Sequence, residues 1–153
     1  MKKVILAVAL TLSASLASAV EVGTYAGRAA GGIGGGENLV GFSVGQKFDK
    51  IGVQATADRS TTQKVDTNRY TASVSYDVIK LGPVQTNVRA GVAYIDPQSP
   101  NTSNGGAGFV GAGVAYPVTS KISLVADYAY QKGNNITKAY NGNIVTAGAK
   151  YSF

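Results

Sequence analysis

Seven ionisable residues occupy alternate positions in strand-like segments of the sequence, so their side chains would share one side of a sheet. They are Glu21, Lys47, Asp58, Asp77, Arg89, Asp127 and Lys150. Charges held away from water must pair, because an unpaired buried charge is strongly destabilising. We therefore expect Glu21 to lie between Lys47 and Lys150, and Arg89 to face Asp127. Three positive charges against four negative ones predict a polar plug, and a gated ion path is the alternative.

The residue types that most protein-based catalysis requires are missing from this chain. It has 0 His and 0 Cys, which excludes imidazole bases, thiolate nucleophiles and the usual ligands of transition metals. A serine without a neighbouring base is a poor nucleophile. The glycine-rich stretch 29–36 lacks the spacing of a dinucleotide fingerprint and the Lys-Ser/Thr pair of a P-loop. The sequence thus predicts no catalytic residues, no metal site and no cofactor.

The beginning of the chain has the three parts of an export signal. Lys2 and Lys3 are followed by the apolar run 4–12 and by the small residues Ala17, Ser18 and Ala19. This pattern predicts a signal peptide over 1–19, Sec-type export and cleavage after Ala19. The apolar run is shorter than the roughly 20 residues of a membrane-spanning helix. Residues 20–153 are predicted to form one domain that, having 0 Cys, is stabilised without disulfides.

The composition excludes several classes of protein. Charged residues make up 14 % of the chain, against about 25 % in soluble domains. Without Lys2 and Lys3, the net charge falls from +6 to +4, with 12 basic residues against 8 acidic ones. A nucleic-acid-binding protein needs a dense basic face with stacking aromatic residues. The sequence has no such face, so we expect no nucleic-acid partner.

Eight segments alternate between apolar and small or polar residues. In one of them Tyr70, Ala72 and Val74 alternate with Thr71 and Ser73. Segments of about ten residues with this period are typical of strands that cross a membrane as a barrel. The predicted strands are about 20–29, 39–48, 51–59, 69–79, 83–95, 107–117, 121–131 and 143–153.

The links between these segments also alternate, and their lengths indicate a barrel with two different ends. Short turns at 48–51, 80–83 and 117–120 are separated by longer links at 30–38, 60–68, 96–106 and 132–142. All four long links would lie at the outer end of a membrane barrel. The alternative is a soluble eight-stranded barrel or sandwich. Its non-apolar face would be charged, whereas here that face carries Gly41, Ser43 and Gly45, which suit a narrow lumen. The prediction is an all-β protein, an eight-stranded antiparallel up-and-down transmembrane β-barrel.

Aromatic residues concentrate near the ends of the predicted strands, where a membrane barrel carries girdles at the lipid–water boundaries. Tyr25 and Phe109 instead have the parity of the lumen and are interpreted as interior filler. The predicted girdle residues are Phe48, Tyr70, Tyr76, Tyr94, Tyr116, Tyr130 and Tyr151.

The last strand ends in alternating apolar residues, namely Val145, Ala147, Ala149, Tyr151 and Phe153. This ending resembles the terminal signature of bacterial outer-membrane β-barrels. The resemblance implies recognition by the barrel-assembly machinery. Over 20–153 the chain resembles the OmpA-barrel and OmpX-like group of small eight-stranded barrels, which implies location in the bacterial outer membrane, and we expect a monomer.

Charged residues at the predicted outer rim suggest a partner. They are Arg28, Arg59, Lys64, Arg69, Lys132 and Lys138, against Glu37, Asp66 and Asp96. This cationic excess suits lipopolysaccharide phosphates, and solvated loop lysines are the alternative. The expected function is a structural or surface-interaction barrel acting through four extracellular loops. A small ion or solute channel and a lipid-modifying enzyme are the alternatives; the enzymes of similar build use a histidine base, which this chain lacks.

Overall fold

The computed structural model describes residues 19–30, 36–61, 65–99, 103–134 and 137–153. Each strand pairs antiparallel with the next, and β8 pairs with β1, so the sheet closes into a barrel. The predicted fold class is therefore confirmed. The export-signal prediction falls almost wholly on 1–18, outside the described residues. The strands are β1 (Ala19–Ala29), β2 (Glu37–Phe48), β3 (Ile51–Thr61), β4 (Asp66–Leu81), β5 (Val84–Pro97), β6 (Gly105–Pro117), β7 (Ile122–Gly133) and β8 (Gly142–Ser152).

The strands turn their large apolar side chains outward. Val40, Phe42 and Val92 are exposed, whereas their neighbours Leu39, Ser43 and Ala93 are buried inside the barrel. An exterior of this kind suits hydrocarbon, and the closed sheet leaves no unpaired strand edge in the bilayer. Of the described residues, none forms a helix long and apolar enough to cross a membrane.

The strands match the predicted segments to within three residues, and most of the differences lie at one end. We call this the outer end; the short turns 49–50, 82–83 and 118–121 and both termini of the barrel lie at the inner end. β3 and β4 continue past the predicted limits, so the link between them spans only 62–65. The expected long link at 60–68 was therefore wrong, because residues 66–68 and 60–61 pair across the sheet.

A bulge in β4 changes which way its inner end faces. The register between β4 and β5 shifts between Asp77 and Ile79, and both Val78 and Ile79 are exposed on the outside. An extra residue of this kind reverses the alternation that follows it. Lys80, which would otherwise face lipid, consequently lines the lumen at the inner end.

Lumen-facing glycines make room for the two aromatic rings inside the barrel. A methyl group added at Gly91 would lie 2.8 Å from Cζ of Phe109, and one added at Gly41 would lie 2.8 Å from Cζ of Tyr25. Both distances are far below van der Waals contact. The rings pack against bare backbone, as expected in an eight-stranded barrel whose interior is filled by side chains.

Candidate functional site: the barrel lumen

Apolar side chains pack together in the outer half of the lumen. Leu39 is 2 % exposed and Ile95 is 1 % exposed, and Leu39 packs with Ala29 and Ile144. A second cluster joins Ile95 to Phe109 and to other side chains of β5, β6 and β7. Cavities of about 20 and 40 Å³ lie among these residues. We call these two clusters the outer plug.

The link between β7 and β8 contributes to the outer plug. A 3₁₀ turn in this link, Lys138–Tyr140, places Tyr140 inside the mouth of the barrel. The hydroxyl of Tyr140 lies 3.2 Å from Oγ1 of Thr67, and Gln131 Nε2 donates to the Tyr140 carbonyl at 3.1 Å. Thr137 also donates to the carbonyl of Gly106, at 2.7 Å. The sequence did not predict this inserted turn, because loop residues show no periodic pattern from which their burial could be predicted.

Below the outer plug, Arg69 and Asp58 form a buried ion pair. The guanidinium donates to Asp58 Oδ2 from NH2 at 3.1 Å and from Nε at 3.2 Å. Tyr25 donates to the same oxygen at 2.9 Å. The sequence analysis had placed Arg69 on the outer rim, which was wrong. The inward alternation of Thr71, Ser73 and Asp77 continues upward to include Arg69, and this signal was available.

Glu37 was also assigned to the rim, and it too lies inside the barrel. It is 4 % exposed and accepts a hydrogen bond from the Ser60 hydroxyl at 2.6 Å. Glu37 lies beyond Val40, the last large apolar side chain on the outside of β2, and hence beyond the membrane-spanning part of the strand. Burial raises the pKa of its carboxyl group, and the hydrogen bond from Ser60 opposes this rise.

The inner half of the lumen contains three further ion pairs. Arg89 faces Asp127 across 3.7 Å, as expected from the sequence, and Lys150 lies 3.5 Å from Glu21. Lys47 pairs with Asp77 and not with Glu21. The expectation that Glu21 would lie between two lysines was therefore only half right. Lys47 and Asp77 meet across the lumen although β2 and β4 are separated by β3.

A cavity of about 230 Å³ occupies this inner half, and we call it the vestibule. Residues beside the short turns and the termini, such as Lys80, Pro117 and Glu21, line it. Arg89 lines both the vestibule and the small 40 Å³ cavity above it, and thus lies at the roof. All seven ionisable residues predicted for the lumen point into the lumen. Six of them line the vestibule, and Asp58 lies higher, next to the outer plug.

The predicted girdle residues all lie at outward positions of their strands. Tyr70 and Tyr94 face each other across β4 and β5. In the terminal strand, Tyr151 and Phe153 form an edge-to-face pair with ring centroids 4.9 Å apart. Val145, Ala147 and Ala149 share this outward face of β8. The strand pairs with both β1 and β7 and so closes the barrel.

Comparison with solved structures identifies the fold. Neisserial surface protein A superimposes with a TM-score of 0.64 at 20 % identity, covering 90 % of this chain and 97 % of that chain. A major outer membrane protein from Thermus thermophilus gives 0.61 at 18 % identity, covering 90 % and 100 %. This chain has the fold of the small outer-membrane β-barrels.

A third barrel has the same architecture. Ail, the attachment invasion locus protein of Yersinia pestis, superimposes with a TM-score of 0.54 at 17 % identity, covering 89 % of this chain and 97 % of that chain. No protein-family model and no curated protein matches the sequence. The shared fold and the apolar exterior indicate a transmembrane β-barrel.

Proposed function

We propose that this protein is an outer-membrane barrel with a closed lumen that acts at the cell surface through its four extracellular links. The outer plug carries the proposal. Leu39, Ile95 and Tyr140 fill the mouth that a channel would need to keep open. With the lumen sealed from outside, the surface that remains for partners is that of the loops.

A small ion or solute channel is the second candidate, and the vestibule is the observation that favours it. A cavity of about 230 Å³ with paired charges resembles the inner half of a pore. A continuous pore would nevertheless require the outer plug to move, together with the buried pair of Arg69 and Asp58. We therefore place the channel second.

Conductance separates the two candidates. The refolded protein in planar bilayers should give no stable ohmic openings, and liposomes containing it should not swell in small sugars. A Tyr140→Ala variant, whose mouth is wider, is the matched control that shows whether the recordings can detect an open barrel. Stable openings of the unmodified protein would support the channel. Migration on SDS gels with and without boiling should first establish that each sample is folded.

Lipopolysaccharide is the proposed partner at the outer rim. Arg69 and Glu37 lie inside the barrel, and Lys64 lies outside the described residues. The rim charges that remain are Arg28, Arg59, Lys132 and Lys138 against Asp66 and Asp96. Arg59 pairs with Asp66. The exposed Arg28 and Lys132 lie near the outer ends of β1 and β7, where lipid phosphates would be in reach.

Binding of purified lipopolysaccharide should depend on these two cations. Replacing both Arg28 and Lys132 by Gln should weaken binding several-fold, with a loss of salt dependence. Replacing both Lys50 and Lys121 by Gln, a charge change of the same size in the exposed turns of the inner end, is the control. Equal effects of the two sets of changes would argue against a rim site.

The proposal includes biogenesis and excludes enzymatic activity. We infer export with removal of 1–19, insertion by the barrel-assembly machinery through the terminal strand, and a monomeric barrel. The absence of His and Cys from the chain argues against a hydrolase or acyltransferase. Lipid mass spectrometry of a strain that lacks the protein should accordingly show an unchanged lipid composition.

A further inference from the structure

The two arginines in the lumen differ in how many of their hydrogen-bond donors are used. Arg69 donates to Asp58 from two nitrogens and also makes a 3.4 Å bond from NH1 to Gln131. Within the described residues, the nearest acidic oxygen to Arg89 is Oδ1 of Asp127, 3.7 Å from NH1. Its buried Nε has no hydrogen-bond partner within the described part of the chain. A guanidinium carries five donor hydrogens, so Arg89 retains capacity that Arg69 has used.

Arg89 lies between the outer plug and the vestibule, because it lines both the small cavity above and the vestibule below. Its Cζ lies 5.7 Å from the centre of the Phe109 ring, which belongs to the outer plug. That contact holds the guanidinium against an aromatic face. Asp127 flanks it at one side, and the vestibule opens below it. The side chain of Arg89 therefore lies at the roof of a polar cavity that faces away from the cell surface.

The charges lining the vestibule do not balance. Glu21, Asp77 and Asp127 each have a cationic partner, respectively Lys150, Lys47 and Arg89. Lys80 is the fourth cation of the lining, and the bulge in β4 turns it inward. Lys80 forms no ion pair with any described residue. The lining thus carries one positive charge in excess.

We propose that the vestibule binds a small carboxylate that enters from the periplasmic side. A carboxylate matches the planar guanidinium fork of Arg89. Its single negative charge would neutralise the excess, whereas a doubly charged phosphate would leave an unpaired negative charge in a partly buried cavity. Amide and hydroxyl groups of Gln54, Asn87 and Ser75 line the remaining wall. The source of the carboxylate is either a free small acid or the carboxyl terminus of a peptide.

Side-chain NMR of the refolded protein in lipid nanodiscs tests the site directly. Acetate should shift the Nε–H resonance of Arg89 with a saturable curve, while chloride at equal ionic strength should not. A tripeptide with a free carboxyl terminus should also bind, and the same peptide with an amidated terminus should not. Tenfold tighter binding of the free peptide than of acetate would identify a peptide terminus as the source. Equal affinities would identify free small acids.

Calorimetry with variants supplies the second measurement. Arg89→Gln should abolish acetate binding, and Lys80→Gln at the exposed mouth should weaken it about threefold or more without endangering the fold. Lys50→Gln removes a charge from the same end of the barrel but outside the vestibule, and should leave the affinity unchanged. A response that does not saturate, equal competition by chloride, or equal effects of Lys80→Gln and Lys50→Gln would overturn the proposal.

Discussion

Arg69 and Asp58 form the most deeply buried ion pair among the described residues, with side chains 12 % and 2 % exposed. Tyr25 from β1 and Gln131 from β7 bond to this pair, so four strands contribute to one network. A buried pair stabilises a fold only when its remaining donors and acceptors are satisfied. Within the described residues, neither side chain has a buried nitrogen or oxygen without a hydrogen-bond partner. This network links opposite walls of the barrel directly below the outer plug.

Removing one partner should therefore be costly. Arg69→Met leaves the Asp58 carboxylate buried without its cation, which should reduce the free energy of unfolding by about 3–5 kcal/mol. Urea titration of the protein in bilayers, followed by gel migration without boiling, measures the change. Arg59→Met is the matched control, because Arg59 and Asp66 pair on the exposed surface and such pairs contribute about 1 kcal/mol or less. Equal losses in the two variants would contradict a structural role for the buried pair.

The sequence predicted the barrel because alternation repeats in every strand, and it failed where a side chain depends on strand length. Arg69 and Glu37 were assigned to the outer rim because the apolar alternation fades near the outer ends of the strands. The backbone pairing continues there, since Asn68 pairs with Asp96 and Glu37 with Ala29. Polar residues occur here on both faces of the strands, so a pattern of apolar residues cannot show which of them point into the lumen.

It was harder to predict which charged side chains pair across the lumen than to predict which side chains face the lumen. Parity fixes the face of Lys47, but its partner depends on barrel shear and side-chain length, which alternation does not report. Lys47 bonds to Asp77 two strands away. The inward turn of Lys80 depends on a bulge, and the insertion of Tyr140 depends on a loop. Neither leaves a periodic signal.

Glycines on the two faces of the barrel should respond oppositely to substitution. A methyl group at Gly91 would collide with the Phe109 ring, so Gly91→Ala should lower the free energy of unfolding by about 1–3 kcal/mol. At the outward Gly106, the same change meets only the Ala93 carbonyl oxygen at 3.9 Å and should be neutral or stabilising. Urea midpoints of the two variants measure the contrast. Similar destabilisation at both sites would show that steric filling of the lumen is not the cause.

Glu37 should make the stability of the barrel depend on pH. Burial raises the pKa of this carboxyl in the folded state, so the folded state holds its proton more tightly than the unfolded chain does. The stability that this contributes is present at pH values below the unfolded pKa of about 4.3 and is lost as the pH rises through the folded pKa. Glu37→Gln keeps an acceptor for Ser60 and removes the titration.

The Glu37→Gln variant should accordingly be more stable than the unmodified protein at pH 8, with the difference vanishing near pH 3. Unfolding titrations at several pH values measure this difference. Asp96→Asn, which removes a carboxyl group at the outer end of β5, controls for general effects of charge on stability. A difference that grows toward acid pH would reverse the sign and contradict burial as the dominant cause.

The terminal aromatic should matter for assembly more than for stability. Phe153 is 73 % exposed, and its side chain contacts the Tyr151 ring. Its backbone N–H donates to the Val20 carbonyl at 3.0 Å whatever the side chain. Phe153→Ser should thus change the free energy of unfolding by less than about 1 kcal/mol.

If the barrel-assembly machinery recognises Phe153, the same change should slow folding into proteoliposomes that contain the machinery. It should leave spontaneous folding into thin bilayers unaffected. Phe48→Ser alters an exposed aromatic at the same end of the barrel but outside the last strand, and should affect both reactions equally. Equal slowing by the two variants would mean that the machinery responds to interfacial aromatics in general, because the position of Phe153 at the end of β8 would then carry no separate information.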